Sequence, residues 1–127
     1  MAVVYRSVRL VVLNCSDAAL TVDGAEVVLG EWGPGNILGS KGAMIKPQSA
    51  AVATTQSTVM HVGSEAFLRL SSVLGPVYLH WSRPWVGKFS LRHEVERDDW
   101  TFGRHVIDSE PASIAALVML APRARGR

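Results

Sequence analysis

Residues 88–95, KFSLRHEV, give the clearest indication of the architecture of this chain. Phe89, Leu91, His93 and Val95 alternate with charged or small polar residues, which is a period of two. A strand with one buried and one wetted face produces this period, because successive side chains point to opposite faces of a sheet. The stretch therefore predicts a β-strand that carries His93 on its inward face.

The same short alternation, rich in β-branched residues, recurs along the rest of the chain, and helical windows are scarce. It predicts further strands at 6–14, 25–32, 50–57, 66–71, 77–81, 100–107 and 114–120, about eight in all. Turn signals separate them at 23–24, 33–36, 39–42, 46–47, 75–76, 98–99 and 110–111. Strands at this spacing are typical of a sandwich or barrel, and we predict an all-β fold, a two-sheet antiparallel β-sandwich.

Two of these strands, 6–14 and 114–120, are apolar on both faces. We expect the first of them to lie inside a sheet. A helix over 112–119 is the competing interpretation of the second, because alanine is frequent there and the preceding residues could start a helix. We favour a strand because the segment is short. Trp100 and Phe102 alternate within a predicted strand, and we expect both in the core.

The composition is that of one folded domain, which we place at residues 1–127. Hydrophobic residues make up 48% of the 127 and charged residues 19%. The apolar runs are too short for a membrane span, residues 1–14 lack the order of a secretion signal, and Cys15 is the only cysteine. We expect a soluble protein without an internal disulfide. Either it stays inside the cell, or its export signal is absent from this sequence, or it is secreted by a non-classical route and acts at a target membrane.

The formal charge of +2 arises at the C-terminus. Arg123, Arg125 and Arg127 lie there, and without these three arginines the net charge is −1. Nucleic-acid binders concentrate basic residues on one face of a folded domain. We predict instead a flexible basic tail at 122–127 and no nucleic-acid partner.

No motif of an enzyme or a metal site is present. The histidines at 61, 80, 93 and 105 show neither HExxH nor another close ligand spacing. GxSxG, P-loop and GxGxxG motifs are absent, and nothing beside Cys15 marks it as an activated nucleophile. The glycines at 33–35 flank a proline, which removes an amide donor, so this segment is a turn rather than a phosphate-binding loop. We expect no catalytic residues, no metal and no cofactor.

Aromatic and basic residues are concentrated in 77–88. Pro84 lies between Trp81 and Trp85, and proline removes a ladder hydrogen bond, so we expect at least one of these tryptophans on a loop at the edge of the sandwich. Exposed tryptophan and tyrosine beside arginine suit a membrane interface, where the ring buries its apolar body and its polar edge stays wet. The candidate lipid-binding residues are Trp32, Tyr78, Trp81, Arg83, Trp85 and Lys88.

In the order of these features the sequence resembles the aegerolysins, small β-sandwich proteins that recognise membrane lipids. The most specific shared piece is Trp-x-x-Pro-Trp at 81–85, with the aromatic strand that precedes it. The other shared features are a first strand ending in Asn14, a Trp-Gly pair at 32–33, an Ile-Lys-Pro turn at 45–47 and a later strand beginning with Trp100.

The resemblance implies a protein without enzymatic activity in which Trp32, Trp81 and Trp85 contact a phospholipid or sphingolipid headgroup. It also implies the recognition role in a two-component cytolysin, a hemolysis-causing toxin whose larger perforin-like partner builds the pore. The chain departs from the family in its nearly neutral loop at 33–42 and in Ser82 and Arg83, where acidic and cysteine residues are common. The resemblance therefore does not imply which lipid is bound, and the positive charges favour an anionic headgroup.

Two other functions are compatible with the same residues. A carbohydrate-binding β-sandwich module also exposes tryptophans, because their rings stack on sugars. A structural or assembly protein would bury Trp32 and Trp85 at the subunit interface of a homo-oligomer. Lipid binding is the leading prediction.

Overall fold

The computed structural model describes residues 3–96 and 99–123, and this part of the chain contains ten β-strands and no helix. The strands are β1 (Arg6–Asn14), β2 (Leu20–Leu29), β3 (Glu31–Trp32), β4 (Met44–Ile45), β5 (Ser49–Ser57), β6 (Ser64–Ser71), β7 (Val77–Arg83), β8 (Ser90–Val95), β9 (Trp100–Ser109) and β10 (Ser113–Pro122). Sheet A has the order β3-β5-β1-β10-β9, and sheet B has the order β4-β2-β6-β7-β8. The two sheets enclose one core, so the predicted all-β two-sheet sandwich is confirmed.

Strand pairing places β1 and β10 inside sheet A. β1 pairs antiparallel with β5 and parallel with β10, and the other strand pairs of both sheets are antiparallel. The prediction that 6–14 lies inside a sheet is therefore confirmed. The segment 112–119, for which a helix was the alternative, belongs almost wholly to β10.

The predicted strand at 25–32 is two strands that belong to different sheets. Gly30 has a φ of +90°, which glycine adopts without strain, and an added Cβ there would clash with the carbonyl oxygen of Gln56. The chain turns at this glycine from sheet B into sheet A. The predicted turn at 23–24 is wrong, because both residues lie in β2, where the register with β6 shifts. β4 has only two residues, too few for a periodic pattern to reveal.

The core lies between the sheets and is formed by the inward residues of nearly every strand. Its largest fully buried side chains include Trp81, Leu10, Leu68, Leu79 and Leu120. Trp100 is 4% exposed, and Phe102 is partly buried against the same cluster. Both aromatic residues of β9 are thus where the alternation predicts them.

A buried asparagine holds together one end of the sandwich. The Asn14 amide nitrogen Nδ2 donates to the carbonyl oxygens of Ala18, Ile45 and Lys46 at 2.8, 3.2 and 3.2 Å. Its Oδ1 accepts from the Ser16 amide at 3.0 Å and from the Ser16 hydroxyl at 2.7 Å. Both polar atoms of this fully buried side chain are therefore paired, as burial of an amide requires.

The side of the sandwich between β8 and β9 is lined by a histidine. The strand predicted at 88–95 is β8, which begins two residues later at Ser90, and its inward residues are half-buried because β8 is an edge strand of sheet B. His93 stacks on Phe102, with ring centroids 3.8 Å apart and an interplanar angle of 17°. Burial and the nearby Arg104 guanidinium lower the pKa of His93 below its usual 6.5.

The predicted basic tail lies mostly outside the described residues. Pro122 ends β10, and the Arg123 amide donates to the carbonyl oxygen of Asp99 at 2.7 Å. Residues 124–127 are not described, so flexibility of the tail at 122–127 stays a prediction.

We expect His93 to make the protein less stable in mild acid. A lowered pKa means that the folded protein prefers the neutral imidazole. The contribution of neutral His93 to folding stability is therefore present above about pH 6.5 and is lost as the pH falls toward the lowered pKa of the folded state. Urea unfolding at about pH 7.5 and about pH 5 measures the loss. The loss of unfolding free energy between the two pH values should be smaller in His93→Gln than in the natural protein. In His105→Gln, which alters an exposed histidine of β9, the loss should equal that of the natural protein. Equal losses in all three proteins would contradict this assignment.

Candidate functional site

One end of the sandwich gathers four short segments, which we call the Trp85 end. It comprises residues 3–5 and the loops 58–63, 84–89 and 110–112. They meet because β1, β6, β8 and β10 begin where β5, β7 and β9 end. The strand directions therefore bring together residues that are far apart in the sequence.

Trp85 lies at the centre of this end and is half-buried. Its ring is 5.8 Å from that of Tyr5 and 5.1 Å from that of His61, measured between centroids. The Arg6 guanidinium carbon lies 4.2 Å from the Trp85 centroid, and Arg6 Nη2 donates to the Trp85 carbonyl oxygen at 2.8 Å. These contacts hold the indole against the end of the sandwich, where part of it stays open to solvent.

Exposed apolar side chains surround this tryptophan on the neighbouring loops. Val59 and Met60 are 59% and 54% exposed, and Val86 is 84% exposed. His61, next to them, has a φ of +70°, a left-handed conformation that is costly for a residue other than glycine. The turn thus holds two apolar side chains out into solvent beside a third from the adjacent loop.

Two structural residues fix the loops of the Trp85 end to one another. A Cβ on Gly63 would lie 2.6 Å from the Arg83 carbonyl oxygen and 3.0 Å from the Trp85 amide nitrogen, so only glycine permits this approach. Arg83 Nη1 donates to the carbonyl oxygens of Pro84 and Gly87, each at 2.9 Å, and Nη2 donates to that of Pro111 at 2.8 Å. The guanidinium of Arg83, a residue predicted to contact lipid, therefore donates these hydrogen bonds to backbone carbonyl groups and stabilises the shape of the loop.

Trp81 lies in the core rather than at the surface. It is 0% exposed, and its Nε1 donates to the Thr55 hydroxyl at 3.0 Å, which also accepts from Ser64 at 2.8 Å. Trp32 is half-buried and packs on Trp81, with centroids 6.4 Å apart. The prediction that both contact a headgroup thus needs correction for Trp81, because β7 continues to Arg83 and its alternation turns residue 81 inward.

Tyr78 lies away from the Trp85 end, on the outer face of sheet B. Its hydroxyl donates to Glu96 at 2.9 Å, a bond that raises the pKa of this tyrosine above 10.0, and the Arg69 guanidinium lies 5.4 Å from its ring centroid. Beside it is a shallow hollow of about 200 Å³. The outward side chains that line this hollow include Phe67, Tyr78, His80, Arg92 and Glu94.

The remaining candidate, Lys88, is exposed on the loop that carries Trp85. The six predicted residues therefore separate into three groups: Trp85, Arg83 and Lys88 at the Trp85 end, Trp32 and Trp81 between the sheets, and Tyr78 on sheet B. Within residues 3–96 and 99–123 no group of three or more His, Cys, Asp or Glu side chains could hold a metal ion. No helix in that part is long and apolar enough to cross a membrane.

Sequence reasoning missed the residues that reach Trp85 from other strands. Tyr5, Arg6 and His61 lie 80, 79 and 24 positions before it, and none belongs to a local motif. The Val59-Met60 pair was the one available signal, because it places two apolar side chains in a segment between predicted strands.

Comparison with solved structures identifies a chain of the same fold. The crystal structure of RahU protein in complex with a TRIS molecule aligns with a TM-score of 0.74 over 96% of this chain and 98% of that one, at 9% sequence identity. At this identity the likeness shows the shared fold. No family model and no curated protein matches the chain.

We expect Trp81→Phe to lower the free energy of unfolding by roughly 2 kcal/mol, because it removes the bond to Thr55 and leaves a gap beside Trp32. Urea unfolding followed by circular dichroism measures the change. A double-mutant cycle with Thr55→Val should give a coupling of about 1 kcal/mol, since the two side chains share that bond. A coupling near zero would show that the hydrogen bond adds nothing to stability.

Proposed function

We propose that this protein binds membrane lipids through the Trp85 end. The observation that carries the proposal is the arrangement of Val59, Met60 and Val86 around a half-buried tryptophan. Exposed apolar side chains that cluster on one surface mark sites for partners or membranes. A tryptophan beside them suits the zone between lipid headgroups and acyl chains.

The charges of this end favour contact with phosphate groups. Lys88 is exposed beside the apolar loops, and Arg6 lies against the Trp85 ring. A lysine next to the membrane surface attracts anionic lipids. We therefore propose that a headgroup phosphate is held near Lys88 while Val86 and Met60 enter the headgroup layer.

The resemblance of the sequence to the aegerolysins supports this proposal, and so does the fold shared with RahU, itself an aegerolysin-family protein. We propose a recognition role without enzymatic chemistry. In this role a larger perforin-like partner would build any pore, as the resemblance implies.

We expect Val86→Asp to abolish binding to lipid vesicles. The residue is 84% exposed, so an aspartate costs little fold stability but repels anionic headgroups and resists transfer from water. Trp85→Ala should weaken binding about tenfold or more, by the loss of an apolar ring from the contact. Co-sedimentation with phosphatidylserine-containing and neutral vesicles, each with and without sphingomyelin and cholesterol, measures both variants.

Val73→Asp is the matched control, because Val73 is 83% exposed on the loop 72–76 at the opposite end of the sandwich. It should bind vesicles like the natural protein. Equal loss in both aspartate variants would indicate a general charge effect and would overturn the proposal. Failure of the natural protein to bind any of the vesicles would overturn it as well.

A carbohydrate-binding function is a second candidate, and the hollow on sheet B favours it. Tyr78 and Phe67 offer aromatic faces for the apolar side of a sugar ring, and Arg92, Glu94 and His80 offer polar groups for its hydroxyls. The volume of about 200 Å³ suits one small ring rather than a long chain.

If the hollow binds sugars, neutral methyl glycosides should shift the backbone amide signals of β6, β7 and β8 in NMR spectra, and Tyr78→Ala should abolish the shifts. Trp85→Ala should leave them intact, because Trp85 lies at the end of the sandwich and does not line the hollow. Shifts that survive in Tyr78→Ala would exclude the hollow as the site.

A further inference from the structure

The edge strands β8 and β9 leave one side of the sandwich open. Val106 of β9 pairs with the fully buried Ala116, so its side chain is on the inner face of sheet A. Leu91 of β8 pairs with the fully buried Trp81 and is on the inner face of sheet B. In the part of the chain that the structure describes no strand pairs with the outer edge of either strand, and 47% of Val106 is exposed.

A cavity of about 200 Å³ lies between these two strands, and we call it the side slot. Its lining residues are Phe89, Leu91, Arg104, His105, Val106 and Ala116. Ala116 leaves room for it, because the inward positions on either side of this alanine in β10 hold the larger Ile114 and Val118. Four of the six lining side chains are apolar, so the slot suits a ligand with an apolar part.

Arg104 supplies a positive charge at the side slot. It pairs with the fully buried Val118, and its Nη1 donates to the Leu91 carbonyl oxygen, so the guanidinium joins the two edge strands. A guanidinium has five N–H donors, and this bond uses one of them. Among the residues that the structure describes, no carboxylate forms an ion pair with Arg104. Burial and the Arg104 charge both lower the pKa of His93, so the charge acts between the sheets.

The lining and the charge together indicate the class of ligand. In an apolar pocket, the few polar groups fix the orientation of the ligand. A guanidinium binds a carboxylate through two parallel hydrogen bonds. An apolar cavity of about 150 Å³ holds benzene, so the side slot has room for an alkyl chain of about eight carbons.

We propose that the side slot binds a medium-chain fatty acid of about eight carbons. The alkyl chain lies against Phe89, Leu91 and Val106, and the carboxylate accepts hydrogen bonds from the remaining N–H groups of Arg104. A sugar fits this slot less well, because its hydroxyl groups would face apolar side chains without partners. The site is separate from the lipid binding proposed for the Trp85 end and does not depend on it.

Isothermal titration calorimetry with sodium octanoate, in the absence of vesicles, tests the slot. We expect saturable binding to one site that strengthens roughly tenfold for each two carbons from butanoate to octanoate. Decanoate should bind no more tightly, because the slot is then full. Arg104→Gln should weaken octanoate binding about tenfold or more and leave the binding of 1-octanol unchanged, since the alcohol carries no charge for the guanidinium.

Val106→Glu should abolish octanoate binding, because it places a negative charge in the slot. Ile107→Glu is the matched control, because Ile107 is the next residue of β9, is 55% exposed and does not line the slot. It should bind octanoate like the natural protein. Both substitutions are at exposed positions and cost little fold stability.

NMR spectra locate the bound octanoate. The backbone amide signals of β8 and β9 should shift, and those of the loop 58–63 at the Trp85 end should not. Trp85→Ala should bind octanoate like the natural protein, whatever its effect on vesicle binding.

Absence of saturable octanoate binding would overturn the proposal, and so would equal losses in Val106→Glu and Ile107→Glu. Equal affinities of the natural protein for octanoate and 1-octanol would overturn the role of Arg104 and with it the carboxylate as the ligand. A natural protein that binds octanoate but no vesicle keeps the side slot and removes the proposed lipid site. The reverse result keeps the lipid site and removes the slot.

Discussion

The buried hydrogen bond from the Trp81 indole to the Thr55 hydroxyl joins the two sheets, and much of the remaining structure depends on it. It links β7 of sheet B to β5 of sheet A, and the Ser64 hydroxyl completes the contact from β6. A buried indole N–H is stabilised by an acceptor, so this bond favours the relative position of the sheets that keeps Trp81 beside Thr55. β7 continues from Trp81 to Arg83, and the loop bearing Trp85 begins at Pro84, which cannot donate to the ladder.

The sandwich has two kinds of surface, the loops at its ends and the outer faces of its sheets. The Trp85 end is made of loops, which are free to carry apolar side chains because they belong to no ladder. The outer faces of the sheets follow the strand alternation, and both mix polar with apolar side chains, as Arg9 beside Val11 on sheet A and Arg69 beside Phe67 on sheet B show.

Local pattern predicted most of the strands but not where the chain changes sheets. Alternation predicts the strand at 6–14 and, to within about two residues at each end, β5 to β10, since each of these strands lies in one sheet. Alternation continues through 25–32, yet Gly30 sends the chain to the other sheet there, and only its left-handed φ marks the change. Pro84 predicted at least one of Trp81 and Trp85 on a loop, and Trp85 lies on one, whereas Trp81 lies within β7, which continues to Arg83.

The sequence by itself determined the all-β class, the single apolar core and the position of Trp85 next to a proline. These features depend on alternation and on proline, which act between residues close in the sequence. The partners of Trp85 could only be decided by the folded molecule. Tyr5, Arg6 and His61 reach the ring because antiparallel and parallel pairings bring distant strand ends to one place.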